Sequence, residues 1–131
     1  MSRREIREQI FKLLFRVEFH ERDGLEEQIQ LFLEELPQGK ESELRYMEGK
    51  FRDIVARLEE IDQQVNERAH GWKTTRMGKA DLALIRLAVY EMKYEEDIPQ
   101  GVAINEAVEL AKSYGTDDSP SFVNGILAKL V

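Results

Sequence analysis

The sequence predicts an all-α fold of about seven helices, and three observations carry that expectation. Apolar residues recur at three- and four-residue steps through most of the chain, the spacing of a helix with one buried face. No stretch alternates apolar and polar residues between turn signals, so strands have no pattern to form on. Glycine and proline fall between the periodic segments, where helices need to stop.

Each element follows from its residues. Ser2 is placed to cap a first helix running to about His20, closed by Asp23 and Gly24. A second helix spans about Leu25 to Leu36 and stops at Pro37, Gln38 and Gly39. A third begins near Ser42 and carries Leu44, Met47, Phe51, Ile54, Val55 and Leu58 on one face. Around Glu60, Ile61 and Asp62 the pattern shifts phase, and a shorter helix continues to about His70. Gly71 to Gly78 reads as an irregular connection holding the only tryptophan, Trp72. The fifth helix, about Lys79 to Tyr94, is apolar nearly all round and marks the centre of the core. In the sixth, Ala103, Ile104, Ala107, Val108 and Ala111 form a stripe, and Gly115 stands where a left-handed C-cap is expected. The last helix follows Pro120 and buries Val123, Ile126, Leu127 and Leu130. Gly125 interrupts it at a cost of roughly 1 kcal/mol relative to Ala, which predicts close packing or a need for exposed backbone at that point.

The 131 residues fit one domain, with sub-bundles of about 1–75 and 76–131 meeting near Trp72–Gly78. No run of apolar residues is long enough to span a membrane, and the N-terminus lacks the apolar segment of a secretory signal. The absence of cysteine excludes disulfides and thiolate metal sites and fits a reducing cytoplasm. A net charge of −7 argues against a polyanionic partner until its distribution is considered. Residues 1–16 carry five basic side chains against two acidic ones, a net +3 on an otherwise acidic body. Such an asymmetry localises a polyanion site.

Two places are candidates for that site. On a helical wheel Arg3, Arg4 and Arg7 precede Phe11 and Phe15 along one flank, while Ile6, Ile10, Leu13 and Val17 define a core face. Guanidinium groups bind phosphates, and guanidinium planes or aromatic rings stack on unpaired bases. Cations at a helix N-terminus oppose the macrodipole, which hints at a purpose. Composition alone favours the plainer reading, a solvated charge cluster with Phe11 and Phe15 in the core. Phe122 is the second candidate, directly after Ser119, Pro120 and Ser121 at a helix start whose free N–H groups suit a phosphate. Spacing alone favours the plainer reading, a core phenylalanine with Ser119 as N-cap.

Catalysis finds no residues to run on. Glu67 and His70 form a single Glu-x-x-His step, whereas a di-iron bundle needs two such steps and two further glutamates. His20 has Val17 three positions earlier, and Glu34–Glu35 and Glu95–Glu96 lie in acidic surface runs. Phosphate loops, nucleophile elbows and dinucleotide fingerprints are absent.

Three strings, LALIRLAVYEM (Leu82–Met92), VAINEAVELAKSYG (Val102–Gly115) and SFVNGIL (Ser121–Leu127), closely resemble the C-terminal signature of the NusB family. These are small helical RNA-binding factors of bacterial transcription antitermination. The resemblance implies a non-catalytic, cofactor-free adaptor that binds boxA-like single-stranded RNA in nascent ribosomal transcripts. It also implies contact with NusE, a small-subunit ribosomal protein, within the transcription elongation complex. Carried over by position, the implied RNA contacts are Arg3, Arg4, Arg7 and Phe122, with Ser121 and Asn124 as neighbours. The implied NusE contacts are Phe15, Asp81 and Leu84, with Phe15 standing where some relatives have tyrosine. Some relatives form homodimers that mask the RNA site. Two other readings stand beside this one: a helical protein-interaction or dimerisation module, and a recruitment domain like that of certain ribosomal-RNA methyltransferases.

Overall fold

Helices α1 (Arg3–Val17), α2 (Leu25–Glu35), α3 (Glu41–Ala56), α4 (Leu58–Arg68), α5 (Lys79–Tyr94), α6 (Gln100–Tyr114) and α7 (Ser119–Ala128) make up the computed structural model, with a 3-10 turn at Thr74–Arg76. Residues 1–19, 24–36 and 39–131 are described, and among them no strand forms. The expected end of the first helix at His20, the Asp23 break and the Pro37–Gln38 stop lie outside the described residues.

The chain divides into two compact units, Met1–Val55 and Ala56–Val131. The sequence placed the division near residue 75, one helix too late. The reason is the way α4 is tied: Asp62 on α4 pairs with Arg86 on α5, and Asn66 on α4 bonds Thr74 in the connection. The expected phase shift at Glu60–Asp62 also lies earlier. Arg57 leaves helical geometry (φ −107°, ψ 8°), and Leu58, Ile61 and Val65 then bury a fresh face.

In the first unit the Ser2 cap forms as expected, its hydroxyl accepting from the Glu5 N–H at 3.1 Å. Such a cap contributes about 1 kcal/mol. Ile10, Phe11, Leu13 and Leu14 on α1, Ile29 and Phe32 on α2, and Met47, Phe51, Ile54 and Val55 on α3 are buried. Polar ties join these helices: Arg52 on α3 grips Glu26 on α2, and Arg16 on α1 reaches Glu35 at 3.5 Å while lying over the Phe32 ring. The Arg52 guanidinium holds the Glu26 carboxyl below its ordinary value, but both side chains are exposed, so the pair adds little to stability.

In the second unit α5 is the central helix, packed against α4, α6 and α7, with Leu82–Ile85 and Leu87–Glu91 buried. The buried alanines of α6, Ala103, Ala107 and Ala111, leave room for close helix approach. Lys93 Nζ donates to the Leu130 carbonyl at 2.7 Å and holds the C-terminal end of α7 to α5. Gly115 departs from the expected left-handed cap. Its backbone is extended (φ −100°, ψ −168°), and glycine is needed there for space. A Cβ would collide with the Ser119 side chain and lie 3.0 Å from the Ala111 carbonyl oxygen. Ser119, itself buried, accepts from the Thr116 N–H at 2.9 Å and closes the α6–α7 turn.

Of the two expectations for Gly125, close packing is not found. A Cβ built there meets nothing within 4 Å, so the glycine faces open space and no close approach requires it. Gly125→Ala is accordingly expected to raise unfolding free energy by up to about 1 kcal/mol, read from chemical denaturation. A loss of stability would return Gly125 to a packed position.

Candidate nucleic-acid interface

The arginines of α1 do not share one environment. Arg3 and Arg4 lie exposed in the first turn, whereas Arg7 is 8% exposed. This corrects the surface position expected for Arg7. On the wheel Arg7 falls between Leu14 and Phe11, and the buried arc is wide enough to take in both. Lys12 and Arg16 are engaged by carboxylates, Glu8 at 3.7 Å and Glu35 at 3.5 Å. The exposed basic side chains of α1 are Arg3 and Arg4, while Lys12 and Arg16 are half-buried. Phe15 is half-buried in an aromatic row, 6.2 Å from the Phe11 centroid and 5.1 Å from that of Phe19. Phe19 is 61% exposed, which leaves one end of the row open to water.

The second group lies at the other end of the sequence. On α7, Val123, Ile126 and Leu127 point into the core, and Ser121, Asn124 and Gly125 are exposed. Phe122 is half-buried rather than a core residue, and its ring meets Trp72 edge-to-face with centroids 5.1 Å apart. Trp72 is 52% exposed. Sequence reasoning noted this tryptophan only as the content of an irregular connection. The signal that could have found it is charge: Arg68, Lys73, Arg76 and Lys79 surround it, and no carboxylate occurs from Arg68 to Ala80.

The positions carried over for a protein partner separate likewise. Asp81 is half-buried in the first turn of α5, with Oδ1 buried and lacking a hydrogen-bond partner among the described residues. Leu84 is 1% exposed, so in this conformation it is a core side chain rather than a contact surface. It sits on a helix buried on nearly every side, which is why its neighbours in sequence do not betray an outward face. Among the described residues no group of histidines and carboxylates is placed to hold a metal ion.

The NusB family model matches residues 4–131. The chain belongs to the NusB family. It is 54% identical to the transcription antitermination protein NusB of Agathobacter rectalis over 129 residues, 98% of either chain. Among solved structures it is similar to NusB of T. maritima, with a TM-score of 0.86 and 36% identity over 99% of this chain and 90% of that one. It is also similar to a chain in a structure of antitermination factors NusB and NusE in complex with dsRNA, with a TM-score of 0.84 and 25% identity over 98% and 94% of the two chains. Family membership thus extends over the whole chain, α1 included, and not only over the C-terminal strings that suggested it. No described helix of this NusB-family chain is long and apolar enough to cross a membrane.

Proposed function

We propose that the chain is a non-catalytic RNA-binding adaptor of transcription antitermination. It binds boxA-like single-stranded RNA of nascent ribosomal transcripts together with the ribosomal protein that doubles as NusE, and it works in the cytoplasm within the elongation complex. The observation that carries this reading is the whole-length likeness to a NusB chain solved with NusE and dsRNA. Two features support it: an exposed arginine pair at the start of α1, and an aromatic ring half in solvent in the same helix as exposed Ser121 and Asn124. Two modest surfaces on one chain raise affinity through effective concentration, and a protein partner adds a third.

The test is titration of a boxA-like oligomer and of a scrambled one, with and without the ribosomal protein. Preferential binding of the boxA-like strand, tightened by the partner, is expected. Equal and weak binding of both strands, untouched by the partner, would overturn the reading. Replacing Arg3 and Arg4 with Ala should weaken binding of either strand. If each arginine neutralises one phosphate, the slope of log K against log salt should flatten by about 1.4 for a single strand. An unchanged slope would remove the start of α1 from the RNA surface. Arg7 is left out of this variant because its burial would mix a folding defect with lost contacts.

A further inference from the structure

We infer that Trp72 and Phe122 together form a stacking site for an unpaired RNA base, and that Trp72 is an RNA-contacting residue in its own right. The inference rests on the RNA-binding reading above. Trp72 keeps 52% of its surface in water although it is the chain's largest apolar side chain, and its ring meets that of Phe122. The two rings meet at 74°, so they form a corner: a base lying on one ring sets its edge against the other. Aromatic rings stack on any base, which makes such a corner a platform for single strands.

The corner is built rather than accidental. Gly71 has φ +87°, a conformation open to glycine, and this turn aims Trp72 outward. The Trp72 N–H donates to the Ala69 carbonyl at 2.8 Å. Two residues on, buried Thr74 is held by Asn66, whose Oδ1 accepts from the Thr74 N–H at 2.9 Å. The backbone on both sides of the tryptophan is thus fixed, so binding need not order the main chain there.

Charge says which occupant fits. Arg68, Lys73 and Arg76 are exposed, and among the described residues none is paired with a carboxylate. In a chain of net charge −7 this is a local surplus of cations beside an open aromatic corner. Asp117 and Asp118, at the foot of α7, repel phosphate, so the strand's backbone runs along the Lys73–Arg76 side. A base on the rings and phosphates on the cations is the recognition chemistry of a single-stranded nucleic acid. A duplex, whose bases are stacked and paired, offers the corner nothing to hold.

Trp72 is the only tryptophan, so its fluorescence reports the site directly in the unmodified full-length protein. Adding a short boxA-like single-stranded RNA should quench it, and the same sequence as a duplex should not. Trp72→Ala should weaken binding by about fivefold to 150-fold with the salt slope unchanged, and Trp72→Phe should recover most of the loss. Phe122→Ala should lower affinity and reduce the quench per bound strand. A parent protein that binds RNA with no change in fluorescence, or a Trp72→Ala variant of unaltered affinity, overturns the stacking site and leaves the RNA reading standing. Quenching by the ribosomal protein without RNA would make the corner a protein surface and overturn it equally. Failure of the parent to bind any RNA overturns both.

Discussion

Replacing Asp62 with Ala is expected to lower the free energy of unfolding by about 2 kcal/mol, between the loss for an exposed ion pair and that for a fully buried one. Arg86 Nε donates to Asp62 Oδ1 at 2.9 Å and Nη2 to Oδ2 at 2.7 Å, a two-point contact between α5 and α4. The side chains are only 12% and 23% exposed. Burial pushes the Asp62 carboxyl up to about 6 and lowers the Arg86 guanidinium, so each charge is costly at this depth and the contact holds both. Removing the carboxylate leaves the guanidinium desolvated without its two-point acceptor. The double replacement Asp62→Leu with Arg86→Met, which removes both charges, should recover most of the loss. Urea denaturation of the parent and the two variants measures this. A single-variant loss under about 1 kcal/mol would class the pair with exposed salt bridges and break the proposed tie between α4 and α5.

Leu84→Ala is expected to cost 2–5 kcal/mol, the range for emptying a leucine site in a packed core. Leu84 is 1% exposed on the helix that every other helix of its unit packs against. The resemblance placed this residue at a protein partner, and burial in the core makes the opposite prediction. Thermal melts should show the loss, and affinity for the ribosomal protein, measured well below the melting transition, should stay as in the parent. A variant that melts normally and loses the partner would return Leu84 to the interface and require α5 to be more open than it stands. Asp81, half-exposed on the same helix, is the better position from which to probe that partner.

Helix identity was legible because it depends on neighbours three and four residues away. Lys79–Tyr94 emerged with both ends right, since its apolar run is long and a glycine and a polar run bound it. The Ser2 cap was legible for the same reason, as one hydroxyl and one N–H three residues on. Arg7 was misread because the width of a buried arc is set by what covers the helix, and a wheel drawn from one helix contains no neighbour. Gly115 and Gly125 show the same limit from two sides. Both were read from general habits of glycine, a left-handed cap and a tight seam. The first is required by the Ser119 side chain four residues on, and the second by nothing within reach.

The sequence alone determined the helical class, the order of elements, the absence of a catalytic constellation and, through three long strings near the C-terminus, the family. These are properties of local periodicity and of residue identity, and neither needs a third dimension. Tertiary structure decided which candidates reach solvent. It buried Arg7 and Leu84, left Arg3 and Arg4 exposed and Phe122 half-buried, and set Trp72 against Phe122 across fifty residues of chain. The division at Val55–Ala56 was decided in the same way, by Asp62 and Asn66 finding partners beyond their own helix. Burial and ring contact depend on distances between segments remote in sequence, and packing of whole helices is what sets those distances.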